Sequence, residues 1–359
     1  MLNNTLKDTT SHQNSHILQT IPLKSPQKIK EELAADRIVQ ELVASGRDEI
    51  AEILRGNDNR LMVIVGPCSI HDPDDALKYA YKLKQVALDT KEELLVVMRT
   101  YFEKPRTTVG WKGLIYDPHL DGTCDMELGL SLARQVLLNI NQLGLLCATE
   151  FLDPLTPQFL ADLIAWVAIG ARTTESQTHR QMASGLPIPI GFKNGTCGRL
   201  STAFNAIVSA QHPHTFLGVN DEGLTSIVQT KGNPDSHIVL RGAKGKPNYS
   251  SSHVAHAQEL MNQAGIPRGV MVDCSHGNSE KDYTRQGDVC RDVVRQYCQE
   301  DQKAIMGLML ESNLYQGNQK WKKGKTLKSG VSITDGCIGW EETKNLLYQM
   351  AEMLKNSRN

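Results

Sequence analysis

Apolar residues along this chain gather in short unbroken runs, separated by longer stretches in which they recur every three or four positions. The runs are LMVIVG, LLVVMR, LLCATE, WVAIGAR, PIPIGFK, HIVLRG, VMVDCSH and IMGLMLES. Each is rich in valine, isoleucine and leucine with little alternation, the pattern of parallel strands covered on both faces. Between and after them a helical period appears at residues 74–88, 125–142, 157–165, 173–184, 199–210, 252–264, 285–299 and 341–355. Strands alternating with helices in this way predict an α/β fold, a (β/α)8 TIM barrel. A doubly wound sheet is the alternative, but no GxGxxG fingerprint follows the first run.

Two stretches fall outside this unit. The first 24 residues are mostly polar and lack periodicity, so they read as an arm. Ser25-Pro26 then has the form of an N-cap followed by a first-turn proline, opening an amphipathic stretch from Gln27 to Arg55 with Gly56 as its C-cap. Ile38 and Leu42 share its apolar face with Val39 and Val43 beside them, and Gly46 is the expected break. The other stretch is a pair of apolar segments, TFLGVN and SIVQTKGN, between the fifth and sixth runs, predicting an inserted hairpin at about 214–234. The expected organisation is an N-terminal arm and helical extension over 1–59 and a barrel over 60–359.

Composition adds exclusions. With Lys+Arg 39 against Asp+Glu 40 the formal charge is -1, so no global field draws in nucleic acid or an anionic membrane. The start carries no basic segment followed by an apolar core, and no apolar run is long enough to cross a bilayer, so the cytoplasm is the expected compartment. Eight cysteines, at 68, 124, 147, 197, 274, 290, 298 and 337, lie scattered without short paired spacings. This speaks against a zinc module or a secreted disulfide frame and for reduced thiols.

In a barrel the C-terminal strand ends and the loops after them face one mouth, where chemistry resides. Two chemical groups collect there. Arg99, Lys104, Arg106, Arg172, Lys193 and Arg241 are cations suited to a multiply anionic ligand, arginine by bidentate contact with phosphate or carboxylate and lysine as a mobile point charge. Cys68, His276, Glu311 and Asp335 form a mixed donor set for a divalent metal, and strands one, seven and eight become neighbours when a barrel closes. Taken singly, each has a duller role: Cys68 as a core filler, His276 as a hydrogen-bonded loop residue, Glu311 as an ion-pair partner and Asp335 as a cap. Glu150 also stands at a strand end.

The segments GPCSIHD, MRTYFEKPRTTVGWKGL, GARTTESQTHR, GFKNGT, LRG followed by KPNYS, DCSHGNS and SITDGCIGWEET together carry a resemblance. The chain resembles the type I, aromatic-feedback-regulated 3-deoxy-D-arabino-heptulosonate 7-phosphate synthases of microbes, from about Arg55 to Leu354. The resemblance implies a barrel enzyme that condenses phosphoenolpyruvate with erythrose 4-phosphate at the first step of the shikimate pathway. It implies one divalent metal ion on Cys68, His276, Glu311 and Asp335, and a soft thiolate with harder oxygen ligands admits manganese, iron, cobalt, zinc or copper. It further implies that Arg172 and Arg241 bind the phosphate of phosphoenolpyruvate, with Arg99, Lys104 and Lys193 at its carboxylate and reacting end. Arg106 and Thr107 match the erythrose 4-phosphate phosphate site. Lys104 is the first candidate for proton transfer, with Glu150 and a metal-bound water as rivals. A homo-oligomer, dimer or tetramer, is implied, in which the extension and hairpin help form a pocket for phenylalanine, tyrosine or tryptophan.

Three positions depart from the family pattern: Cys197 where an acid is common, an extra residue after Arg241, and Pro187 where a serine is frequent. The last bears on effector identity. Two rivals stay open at this point. The 3-deoxy-D-manno-octulosonate 8-phosphate synthases share fold and chemistry but use a five-carbon sugar phosphate. A non-catalytic barrel that senses aromatic amino acids or phosphates is the other.

Overall fold

Each run marked by the apolar pattern forms a strand, and the eight close into one parallel barrel in the computed structural model, which describes residues 16–266, 269–299, 304–322, 324 and 326–358. Residues 1–15 of the expected arm lie outside the described residues. The chain opens with two helices, α1 (Pro26–Glu32) and α2 (Arg37–Arg55), and then alternates. The barrel strands are β1 (Leu61–Gly66), β2 (Leu94–Arg99), β3 (Leu146–Glu150), β4 (Trp166–Ile169), β5 (Ile190–Lys193), β8 (Ser236–Leu240), β9 (Val270–Asp273) and β10 (Ile305–Glu311). Around the barrel the order is β1-β10-β9-β8-β5-β4-β3-β2, so the first and last strands pair, with Gly66 opposite Glu311. Every strand position is buried, because one face fills the barrel and the other meets the helices.

The helices on the outside are α3 (Pro73–Asp89), α4 (Met126–Gln142), α5 (Thr156–Leu160), α6 (Gln177–Gly185), α7 (Ser201–Ala210), α8 (Ser251–Gln263), α9 (Gln286–Cys298) and α10 (Trp340–Arg358). Side chains fix several starts: Asp72 accepts from the Asp75 N–H at 3.0 Å and Asp125 from the Leu128 N–H at 3.1 Å. Between β5 and β8, strands β6 (Thr215–Val219) and β7 (Thr225–Gln229) form an antiparallel hairpin. No helix among the described residues is long and apolar enough to cross a membrane.

Four local expectations need correction. The extension breaks at 33–36 rather than at Gly46, because Asp36 caps a new helix by accepting from the Val39 N–H at 2.8 Å. Gly46 sits inside α2 for a different reason: a Cβ there would stand 2.3 Å from Leu146 Cδ2, so its bare backbone lets α2 lie against β3. The buried face of α2 runs through Val39, Val43 and Ile50, leaving Ile38 74% exposed. The helix expected at 157–165 is only α5 plus a short 3₁₀ turn, since the Ala165 N–H already donates to Cys147 and starts β4. The helix expected from 173 begins at Gln177, because Thr173 and Thr174 turn back onto Gly170 first.

A buried pair beneath the mouth gives the fold a pH dependence. Trp166 Nε1 donates to His237 Nε2 at 2.8 Å, and the imidazole is 0% exposed. Burial holds its pKa down at about 4 against an ordinary 6.5. The unfolded chain therefore takes up this proton as pH falls through 6.5, while the folded chain takes it up only near 4. Stability from this group is complete above that range and is lost as pH falls through it, by up to about 3 kcal/mol. Urea unfolding at pH 7 and pH 4.5 should show a steeper loss for the native chain than for His237→Gln; equal losses would contradict the assignment.

Candidate active site

The strand ends converge on a cleft of about 540 Å³ at the C-terminal mouth of the barrel. Arg99, Lys104, Arg106, Thr107, Glu150, Arg172, Lys193, Arg241, His276, Glu311 and Asp335 all line it, so the residues singled out in the sequence are brought together. Cys68 lies just beneath, 0% exposed. One wall of the cleft holds donor atoms and the rest is dominated by cations.

On the donor wall, Cys68, Glu311 and Asp335 each offer one ligand atom, and these atoms lie within 4.8 Å of one another. His276 joins from the side, with Nε2 4.0 Å from Glu311 Oε1. Its Nδ1 faces Asp273 Oδ2 at 2.9 Å, which assigns the ring proton to Nδ1 and leaves the Nε2 lone pair toward the other donors. Burial, then Glu311, pushes the Cys68 thiol up, so its sulfur becomes a thiolate when a cation offsets the neighbouring carboxylates. Cys68, Glu311 and Asp335 close around one point, with the His276 imidazole beside them and an orienting carboxylate behind it, a donor set that fits a divalent metal ion.

Glu311 is held from several sides. Arg99 Nη2 donates to Glu311 Oε1 at 2.9 Å, and the Gln286 side chain accepts from the Glu311 N–H at 2.8 Å while donating to its carbonyl at 3.1 Å. Gln286 thus stands in for a neighbouring strand. Asp335 arrives on the loop after β10, which is strapped down by Asp75 accepting from Ser329 Oγ at 2.6 Å and by a Ser69–Thr334 hydroxyl pair at 2.8 Å. Burial raises the Asp335 carboxyl, but Lys104, His276 and Arg99 outweigh it and hold the group below its usual range.

The cations form two tiers. On the floor each is engaged: Arg99 donates to the Pro67 and Cys68 carbonyls as well as to Glu311, and Lys193 Nζ donates to Asp273 Oδ2 at 2.9 Å. Lys104 Nζ lies 3.2 Å from Cys68 Sγ. Burial pulls that ammonium down, and the thiolate form of Cys68 together with Glu311 and Asp335 more than restores it. On the rim, Arg106, Arg172, Arg241 and Lys281 line the cleft without a carboxylate at ion-pair distance among the described residues. Arg172 reaches across to Thr107 Oγ1 at 3.3 Å. Unpaired cations above a charge-balanced floor make a receptor for anionic groups entering from solvent. The Glu150 carboxylate makes no hydrogen bond to another described residue and faces the same space; the residue is 6% exposed.

Sequence reasoning missed Asp273, Gln286 and Lys281. Asp273 left a signal, being an acid inside an otherwise apolar strand and so in need of a partner. Lys281 was one more cation in a loop already credited with His276. Gln286 left none, because a glutamine opening a helix reads as surface. His71 and Asp72, beside Cys68 in sequence, take no part in the donor cluster; Asp72 caps α3.

Comparisons with known proteins agree with this geometry. Residues 28–348 match the family described as DAHP synthetase I. The Tyr-sensitive phospho-2-dehydro-3-deoxyheptonate aldolase of Escherichia coli (strain K12) is 52% identical over 342 residues, 95% of this chain and 96% of that protein. The Phe-sensitive one from the same organism is 53% identical over 336 residues, covering 94% and 95%. Among solved structures, the phospho-2-dehydro-3-deoxyheptonate aldolase from Francisella tularensis SCHU S4 superimposes with a TM-score of 0.92 at 46% identity, covering 96% of this chain and 100% of the other. With its barrel, its donor wall and its matches running nearly end to end, the chain belongs to the DAHP synthetase I family.

Proposed function

We propose that this chain is a phospho-2-dehydro-3-deoxyheptonate aldolase, condensing phosphoenolpyruvate, erythrose 4-phosphate and water into 3-deoxy-D-arabino-heptulosonate 7-phosphate and inorganic phosphate. The observation that carries this reading is one cleft in which unpaired rim cations stand over a thiol, imidazole and carboxylate cluster. Two phosphates and a carboxylate need such a rim.

Arg172 and Arg241 hold the phosphate of phosphoenolpyruvate, Arg99, Lys104 and Lys193 hold its carboxylate end, and Arg106 with Thr107 holds the sugar phosphate. These contacts offset the repulsion between two anionic substrates and fix C3 of the enol ether against the aldehyde carbon. Cys68, His276, Glu311 and Asp335 would hold a divalent ion, which would supply Lewis-acid polarisation of the aldehyde carbonyl. As the new carbon–carbon bond forms, the aldehyde oxygen takes up a proton. Lys104, kept charged beside Cys68, has one to give, and Glu150 is the second candidate in the same cleft. Bond formation leaves C2 oxocarbenium-like; water adds there and returns a proton to the Lys104 amine, and the phosphate hemiketal then breaks its C2–O bond to phosphate, the hydroxyl proton leaving with the inorganic phosphate.

Regulation belongs to the same reading. The two Escherichia coli relatives are named Tyr-sensitive and Phe-sensitive. We assign the effector pocket to the region where α1 meets the hairpin, which Lys30 ties to Asp221 at 2.8 Å. The outward Leu217 and Ile227 of that hairpin, 79% and 73% exposed, supply an apolar face for assembly into a homo-oligomer. Eight unpaired cysteines suit a reducing cytoplasm.

Phosphate release with phosphoenolpyruvate and a divalent metal tests the reading, with erythrose 4-phosphate and arabinose 5-phosphate compared and each aromatic amino acid added in turn. We expect the four-carbon sugar to be favoured by at least about 100-fold. Release with neither sugar would leave a non-catalytic barrel, and preference for the five-carbon sugar would reassign the substrate.

A further inference from the structure

Three asparagines from three of the motifs, GFKNGT, KPNYS and DCSHGNS, meet behind the cation rim, and none of them lines the cleft. Asn194, Asn248 and Asn278 are 0%, 7% and 1% exposed. They fill the place where the barrel strands part: the β5–β8 ladder ends at Lys193 with Val239, and the β8–β9 ladder at Leu240 with Val272.

The amides satisfy one another and the loose backbone. Asn194 Oδ1 accepts from the Arg241 N–H at 2.8 Å and from Asn248 Nδ2 at 3.1 Å, while its Nδ2 donates to the carbonyls of Gly195 and Gly242 at 3.0 and 3.2 Å. Asn248 Oδ1 accepts from the Gly242 N–H at 2.7 Å, and its own N–H donates to Asn278 Oδ1 at 2.8 Å. Asn278 Nδ2 donates to the carbonyls of Leu240 and Asp273 at 3.0 and 2.9 Å. The Gly277 N–H completes the frame by donating to the Arg241 carbonyl at 3.0 Å. Gly242 and Gly277 allow that contact, since a Cβ on Gly242 would lie 2.6 Å from the Gly277 carbonyl carbon.

We propose that Asn194, Asn248 and Asn278 are positioning residues that fix the main chain of Arg241 and thereby set how tightly the cleft grips the phosphate of phosphoenolpyruvate. The inference rests on the assignment of Arg241 to that phosphate. Both main-chain polar groups of Arg241 are clamped, one by Asn194 and one by the loop after β9, while its side chain stays free to reach the ligand. Only a short amide does this work. Aspartate lacks the donors, serine has a single one, and glutamine is a methylene too long for a fully packed site.

The test measures the dissociation constant for phosphoenolpyruvate in the full chain by calorimetry, in a double-mutant cycle. Asn248→Ala is expected to weaken binding about tenfold or more. In the Arg241→Ala background the same change should add less than about twofold, because the side chain it positions is gone. Additive losses, or an unchanged constant in Asn248→Ala accompanied only by a lower Tm, overturn the inference. Arg241→Ala without effect overturns it together with the phosphate assignment, whereas loss in Arg241→Ala alone overturns the asparagine network and leaves that assignment standing. Should Asn248→Ala fail to fold, Asn248→Asp serves instead: it keeps the volume and the acceptor for Gly242, sets a carboxylate oxygen against Asn194 Oδ1, and carries the same expectation.

Discussion

Cys68→Ala is expected to lower metal-dependent turnover by at least about 10³-fold, the scale on which removing one essential member of a cooperating set acts, while Tm moves by only a few degrees. The sulfur is the soft member of the donor wall, between Lys104 Nζ at 3.2 Å and Asp335 Oδ2 at 3.9 Å. Alanine removes that ligand and leaves two carboxylates and an imidazole, a set that holds thiophilic ions less well. Structurally the loss is small. One buried sulfur next to Glu311 goes, a cavity costing about 1 kcal/mol, and the carboxylates that disfavour a thiolate there lose an unwelcome neighbour. Chelator competition gives an independent readout, since metal affinity should fall along with activity. A Cys68→Ala enzyme that retains full activity and native metal affinity would remove the cysteine from the site.

Arg99→Leu should be the most destabilising single change in the cleft, by about 3–5 kcal/mol. The guanidinium and the Glu311 carboxylate are 1% and 2% exposed and face each other at 2.9 Å, so deleting the cation strands a buried anion. It also strands the carbonyls of Pro67 and Cys68, which accept from the same group. The signature is in the double variant. Arg99→Leu with Glu311→Leu should recover part of the lost stability, because the unpaired charge disappears, although activity stays absent. Urea unfolding of the four proteins in this cycle decides the matter. A single variant that loses less than about 1 kcal/mol, or a double variant weaker than the sum of its parts, contradicts the pairing.

Much of this site is legible in the sequence. Strand ends share one mouth by the geometry of a parallel barrel, so Cys68, Arg99, Lys193, Arg241 and Glu311 could be gathered into one site although they are spread over the chain. What stayed hidden were the supports. Asp273 serves both Lys193 and His276, and no spacing rule links an acid on one strand to a lysine two strands away around the barrel. Gln286 and the three asparagines act through amide geometry on main-chain groups, and amides carry no pattern beyond polarity. The same limit explains the extension. A glycine in a helical pattern has two meanings, break or close approach, and only the position of Leu146 tells that Gly46 has the second.

The seam of the barrel has a consequence in time. Cys68 follows the first strand synthesised and Glu311 ends the last, and they become neighbours only because β1 pairs with β10. A ribosome-bound chain that has emitted most of its helices still lacks the partner for its thiol. The donor wall is therefore a product of circular closure, and its donors meet only once the chain has been made through Asp335 and the two ends of the sheet have joined.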